Sequence, residues 1–202
     1  MKLLLASQSA AKLAELRRIL RPLLPSVAVV GLGDLAAYPE PVESGTTFEE
    51  NALIKARAGF AASGLATLAD DSGLEVDVLN RMPGVRSARW AGGHGDDAEN
   101  LALLIRQLGD VEAERRTARF VCAMALVHSG GETVLRGVIE GRLADRPRGA
   151  NGFGYDPIFV PLGETRTAAE LSAEEKDAIS HRGRALRAII PQIAALVEAG
   201  ER

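Results

Sequence analysis

Cysteine is nearly absent. Cys122 stands alone among 202 residues, so no internal disulfide is possible and no zinc site of cysteines can be built. Set within an apolar run spanning 120–127, it reads as a small packed hydrophobe. An excess of basic charge is also missing: 24 Lys and Arg stand against 27 Asp and Glu, a net charge of −3. That balance argues against a general nucleic-acid binder. No apolar run approaches the ~18 residues that would cross a bilayer. The apolar start at 1–6 is too short for a secretory signal, because Gln8, Lys12 and Glu15 follow at once. The expectation is a cytoplasmic chain with no membrane or nucleic-acid partner. Aromatic residues make up only 4%, so the use of each one has to be asked. What remains is ordinary for a globular protein, with 47% hydrophobic and 25% charged residues. The length suits one domain over 1–202, two lobes sharing one core, that needs neither disulfides nor a structural metal.

Strands and helices alternate in the pattern of a mixed α/β fold. Residues 3–6 read as a buried strand leading into a helix over 10–20, with Leu13, Leu16 and Leu20 inward and Pro22 ending it. A second short strand follows at 27–30. Thr47 and Glu50 form a capping box for a helix that turns Leu53, Ile54 and Ala58 inward and stops before Gly64. Residues 66–69 read as a small strand ending in a turn at 70–73, and 74–79 as a half-exposed strand alternating around Glu75 and Asp77. Residues 81–95 are irregular, and helical spacing resumes over 96–108. Two longer strands, 118–128 and 133–143, are joined by Ser129-Gly130-Gly131, a good hairpin connection. A Gly-rich loop spans 146–156, and a last helix, 182–199, contains Pro191.

Four segments carry chemistry as well as structure. Asp70-Asp71-Ser72-Gly73 gathers two carboxylates and a hydroxyl, which suit a hard divalent cation such as Mg²⁺. The same tetrapeptide also suits a plain acidic turn. Ser7-Gln8-Ser9-Ala10-Ala11-Lys12 places hydroxyls, backbone N–H groups and a lysine at a helix start, the parts of a phosphate site. It equally suits a serine N-cap beside a solvated lysine. Two scarce aromatics, Phe153 and Tyr155, sit in the glycine-rich loop from Gly149 to Pro157, either to stack on a base or to pin the loop to the core. Lys176, Ser180, His181 and Arg182 lie at the head of the last helix, where cations oppose the macrodipole and an anionic or carbonyl-rich ligand would explain them. Gly31-Leu32-Gly33 is no dinucleotide fingerprint, since Ala36 stands where a third glycine belongs. His94 and His128 read as surface or turn residues, Trp90 as packing, and Glu132, Glu140, Arg142, Arg146 and Arg148 as solvated charges.

In this order the segments closely resemble the inosine triphosphate pyrophosphatase family, the XTP/dITP diphosphatases. The matching stretches are Thr47 to Ala56, Ala69 to Leu74, Pro83 to Arg89, Gly152 to Pro157 and Glu175 to Gly183. The resemblance implies an elongated, two-lobed α/β domain with a central mixed sheet flanked by helices, a nucleotide cleft between the lobes, and a homodimer. It implies Mg²⁺-dependent cleavage of ITP, dITP and XTP between the α and β phosphates. Position by position, it makes Asp71 the metal-associated general base and Glu43 a second metal carboxylate, with Asp70 in support. Lys12 and Lys55 would hold the triphosphate, with Ser7, Gln8, Ser9, Ala10 and Ala11 as donors and Ser72 as a further contact. Phe153, Gly154, Tyr155 and Asp156 would line the base pocket, and Lys176, His181 and Arg182 would reach the base. Ser9 departs from the family, which has Asn there. The Ser7-Gln8-Ser9 start leans towards the Maf-type nucleotide pyrophosphatases, which lack the downstream Phe-Gly-Tyr-Asp and Ser-His-Arg stretches. A non-catalytic nucleotide sensor is the remaining alternative.

Overall fold

A computed structural model of the chain describes residues 1–36, 38–93 and 95–200. The reading of His94 therefore falls outside the described residues. Contact patterns divide the chain into two compact units, the first formed by 1–71, 123–137 and 185–202, the second by 72–122 and 138–184. The strands are β1 (Lys2–Leu5), β2 (Ala28–Gly31), β3 (Thr67–Val76), β4 (Met82–Pro83), β5 (Thr117–His128), β6 (Gly131–Leu143) and β7 (Phe159–Pro161). They form one mixed sheet of order β2-β1-β3-β5-β6-β7, with β4 antiparallel to β3. The helices are α1 (Ala10–Leu23), α2 (Phe48–Ser63), α3 (Asp97–Gln107), α4 (Ala173–Ile179) and α5 (His181–Glu198).

In the first unit, β1 lies parallel between β2 and β3, so α1 and α2 are crossover helices of two β–α–β units. Leu3, Leu4, Leu16, Leu20 and Leu68 are buried there. Pro22 does not end α1 but sits in its last turn, and the helix closes at Leu23 with the Leu24 N–H bonded to the Leu20 carbonyl. The capping box of α2 is present, with both Thr47 and Glu50 engaged, and Gly64 closes the helix in the left-handed conformation. Its inward face differs from expectation. Asn51, Ala52, Ala56 and Gly59 are buried, whereas Leu53, Ile54 and Ala58 are only partly so. The reason is close approach: a Cβ at Gly59 would stand 2.8 Å from Thr67 Cγ2 and 3.2 Å from Leu4 Cδ2.

The expected turn at 70–73 is not a turn. Asp70 to Gly73 run through the middle of the single strand β3, and 77–79 form a 3-10 turn beyond its end. Leu74, Glu75 and Val76 are all buried, so the half-exposed strand expected at 74–79 is also corrected.

In the second unit, Leu74, Val76, Leu104, Phe120, Ile158 and Phe159 belong to one apolar core. Asp96 caps α3 through Glu99 N–H, and Ser172 with Glu175 forms a capping box on α4, a short helix the sequence pattern left unassigned. Several charges expected to be merely solvated are paired. Glu132 takes both guanidinium bonds of Arg57 in the first unit, and Glu140 meets Arg119 at 3.0 Å in the second. His128 is a turn residue, its Nδ1 accepting from Gly130 N–H. Cys122 is fully buried and forms no disulfide.

Candidate active site

The first unit carries a cluster of opposite charges on β3, α1 and α2. Successive strand residues face opposite ways, so the adjacent Asp70 and Asp71 reach different helices. Asp70, almost wholly buried, accepts from Lys12 Nζ of α1 at 2.7 Å. Asp71 meets α2: its Oδ1 lies 3.4 Å from Lys55 Nζ, and its Oδ2 accepts from Asn51 Nδ2 at 3.2 Å. Asn51 and Lys55 are four residues apart on the helix and so share a face. Glu43, from the preceding loop, accepts from the same Lys55 Nζ at 2.7 Å.

Three carboxylates thus stand against two ammonium groups in a largely water-poor place. Burial pushes the Asp71 carboxyl above the usual range, and Glu43 adds to this, outweighing Lys55, Asn51 and Lys12, which pull it down. Burial alone would depress Lys55, but Asp71, Asp70 and Glu43 hold its ammonium above the ordinary lysine value. The Lys55 shift expresses the surplus of negative charge around it, whereas that of Asp71 expresses burial first and the Glu43 charge only after it. Among the described residues, no group of three or more His, Cys, Asp or Glu side chains is arranged to hold a metal unaided. Asp71 and Glu43 nevertheless converge on one cation, here the Lys55 ammonium. Two hard oxygen donors with spare negative charge fit Mg²⁺, which characteristically takes one or two carboxylates and completes its shell with phosphates and water.

At the start of α1, Ser9 is the N-cap. Its Oγ accepts from Lys12 N–H at 3.3 Å, while Ser7 Oγ accepts from Ser9 N–H at 3.2 Å. Gln8, Ala10 and Ala11 are exposed around this first turn. The serine that departs from the family pattern therefore has a local task, capping the helix that delivers Lys12.

The second unit holds the other predicted residues. Asp156 is buried, accepts from Phe153 N–H at 2.8 Å and pairs with Lys176 Nζ. Gly152 has φ +77°, and a Cβ there would run into the Asp156 carboxylate, so the loop can wrap this acid only with glycine. The Phe153 ring is 55% exposed, with Lys176 Nζ 5.2 Å and Arg182 Cζ 5.9 Å from its centroid. An aromatic this open, flanked by two cations, does not pin the loop to the core. Tyr155 does: it is buried, and its hydroxyl donates to the Ser87 carbonyl at 2.8 Å. Burial also raises its phenol above the ordinary value. Gly154 N–H donates to Asp97 Oδ2 at 3.0 Å. His181 stacks on Phe120 with centroids 5.0 Å apart. Lys176 belongs to α4, not to the head of the last helix, while His181 and Arg182 open α5. Ser72 is half-buried on β3.

Sequence reasoning assigned no role to Asn51. Its signal was available: a polar residue at a buried helical position, four before Lys55.

The sequence pattern of the Ham1 family matches residues 3–192. A dITP/XTP pyrophosphatase of Mycobacterium tuberculosis (strain ATCC 25618 / H37Rv) is 58% identical over 196 residues, covering 96% of each chain. One from Nocardia farcinica is 59% identical over 202 residues, covering 99% of this chain and 98% of that one. Among solved structures, a nucleoside-triphosphatase, dITP/XTP pyrophosphatase, of Mycobacterium abscessus superposes with a TM-score of 0.79 at 59% identity, covering 95% of this chain and all of that one. A HAM1 protein of Coxiella burnetii gives a TM-score of 0.88 at 42% identity, covering 96% of this chain and 99% of the other. These likenesses extend over almost the whole chain and include the segments that carry both clusters, and the chain belongs to the Ham1 family.

Proposed function

We propose that this chain hydrolyses non-canonical purine nucleoside triphosphates, dITP, XTP and ITP, to the monophosphate and pyrophosphate, clearing damaged nucleotides from the precursor pool. The observation that carries the reading is the convergence of Asp71 and Glu43 on one cation, in a chain closely related to dITP/XTP pyrophosphatases over nearly its full length. The two units act as one pyrophosphatase domain over residues 1–202, in a cytoplasmic homodimer. Its partner in solution is the nucleotide, with no nucleic acid or membrane involved.

Asp71 and Glu43, with Asp70 in support, would hold Mg²⁺, which when bound neutralises phosphate charge and polarises the bond to be cut. The chain's own residues do the remainder. Lys12 and Lys55 leave their carboxylates for the triphosphate oxygens, offsetting the negative charge that grows on the departing pyrophosphate. Ser7 to Ala11 add hydroxyl and backbone donors at the α1 N-terminus, and Ser72 a further contact. Asp71 takes the proton of the attacking water. A carboxyl raised by burial is a better base than an exposed one, and it remains ionised beside a cation. The water oxygen bonds to Pα as the bond from Pα to the bridging oxygen breaks, and pyrophosphate leaves with that oxygen.

The base stacks on Phe153 within the loop Phe153 to Asp156, near Lys176, His181 and Arg182. Arg182 and His181 donate to the C6 keto oxygen. Adenine presents an amino donor there and would leave a buried donor unpaired, a mismatch able to discriminate by about 10⁴. The test is to incubate the protein with ITP, XTP, dITP, ATP and GTP, with and without Mg²⁺, and to quantify pyrophosphate and monophosphate. Asp71→Asn is expected to cut release to a small residual rate while preserving the fold, and near-normal turnover in that variant would remove Asp71 from the role of base.

A further inference from the structure

Asn51 is fully buried at the first turn of α2, and both ends of its amide are used. Its Oδ1 accepts from the backbone N–H of Gly45 at 2.8 Å. A backbone N–H can only donate, so this bond fixes the amide's orientation and turns Nδ2 towards Asp71 Oδ2, 3.2 Å away. The Asp71 carboxylate is thereby held by two residues of one helix face. Asn51 occupies Oδ2, while Oδ1 is left towards Lys55 Nζ, the point on which Glu43 also converges. Gly45 lies two residues beyond Glu43. A Cβ at Gly45 would stand 2.6 Å from Glu50 Cβ and 2.7 Å from Asn51 Oδ1, so the loop can approach the helix this closely only with glycine. One buried amide therefore links the loop that carries Glu43 to the strand that carries Asp71.

We propose that Asn51 is a positioning residue for the reaction: it locks the Asp71 carboxylate with Oδ1 turned to the cation point and ties the Glu43 loop to the same frame. This rests on the reading of Asp71 as the water-activating base. The amide itself touches no substrate. It acts by fixing a rotamer that a lone aspartate would otherwise leave to choose, and loss of such orienting partners commonly costs 10–100-fold in activity.

Asn51→Asp separates its two bonds, since the replacement still accepts from Gly45 N–H but cannot donate to Asp71. The expected result for ITP is a 10–100-fold fall in kcat with KM changed less than about threefold, because the phosphate and base contacts are untouched. Asn51→Leu, which loses both bonds, is then measured in the wild-type and Asp71→Asn backgrounds. In the Asp71→Asn background it is expected to slow the residual rate by a clearly smaller factor than in the wild type, because only the tie to the Glu43 loop is lost there and no carboxylate is left to orient. If Asn51→Asp retains wild-type kcat, or if Asn51→Leu slows both backgrounds by the same factor, the proposal is overturned.

Should Asn51→Asp fold poorly, the exchange Asn51→Asp with Asp71→Asn restores a donor–acceptor pair with its direction reversed. That double variant is expected to regain the thermal midpoint lost by Asn51→Asp, and failure to regain it overturns the pairing itself. Failure of the underlying reading looks different. In that case Asp71→Asn alone retains turnover, whatever is done at position 51.

Discussion

Replacing Lys55 by Met tests whether the carboxylates of the first unit depend on its ammonium. Methionine keeps most of the apolar stem and its length, so the change removes charge with little loss of packing. The ammonium lies 2.7 Å from Glu43 and 3.4 Å from Asp71, and the three side chains are 14%, 28% and 13% exposed, respectively for Lys55, Glu43 and Asp71. Removing one partner of a fully buried pair costs about 3–5 kcal/mol. Partial solvent access to Glu43 lowers that, so the expected loss is about 2–3 kcal/mol. For a chain of this size, each kcal/mol moves the thermal midpoint by about 2–4 °C, which places the fall at about 4–12 °C. The assay is urea unfolding at pH 7.5, with the slope checked for constancy between variants. Repeating Lys55→Met in the background Asp71→Asn with Glu43→Gln removes the stranded charges, and there the cost is expected to drop below about 1 kcal/mol. Equal costs in the two backgrounds would refute the reasoning, because Lys55 would then stabilise the fold by something other than these carboxylates.

Phe153→Ala is expected to raise KM for ITP about tenfold, the scale of losing one base-stacking contact. Its ring is largely exposed, so the thermal midpoint should hardly move; an unchanged KM would show that the ring is not the stacking platform. Ser9→Ala should cost about 1 kcal/mol through the lost N-cap of α1, whereas Ser9→Asn, an equally good cap, should leave the midpoint in place. Differential scanning calorimetry on the two variants decides this. Glu50, Glu170 and Glu175 are each held below the ordinary glutamate range, first by backbone N–H groups of Thr46, Thr167 and Ser172 respectively. A depressed acid stabilises fully above its unfolded value, about 4.3, and that contribution is lost as pH falls through the folded values. The urea midpoint should therefore drop below about pH 4, and less steeply in the Glu→Gln variants; identical slopes would remove the caps as the cause.

Local chemistry was readable directly from residue order. The capping box at Thr47 and Glu50, the helix stop before Gly64 and the hairpin between β5 and β6 all appear as expected, because each depends on groups within a few residues. The short helix α4 was missed for a related reason. Seven residues are too few to develop an apolar periodicity. The inward face of α2 was misjudged because hydrophobicity favours Leu53 and Ile54, whereas contact with β1 and β3 selects the smallest side chains, Ala56 and Gly59.

The acidic tetrapeptide shows the boundary most clearly. In isolation, Asp70-Asp71-Ser72-Gly73 has the composition of a turn, and residue order alone establishes only that two carboxylates are adjacent. Their place inside β3 depends on partners far away in sequence: Lys12 from α1 for Asp70, Asn51 and Lys55 from α2 for Asp71. A buried carboxylate without such partners would not be tolerated in a strand. Composition, caps and motif order were thus enough to identify an α/β nucleotide pyrophosphatase relative with a lone structural cysteine. Which ammonium meets which carboxylate, and which aromatic stays open while Tyr155 is spent on the core, is decided by tertiary structure, because burial and distance set the charge state of each group.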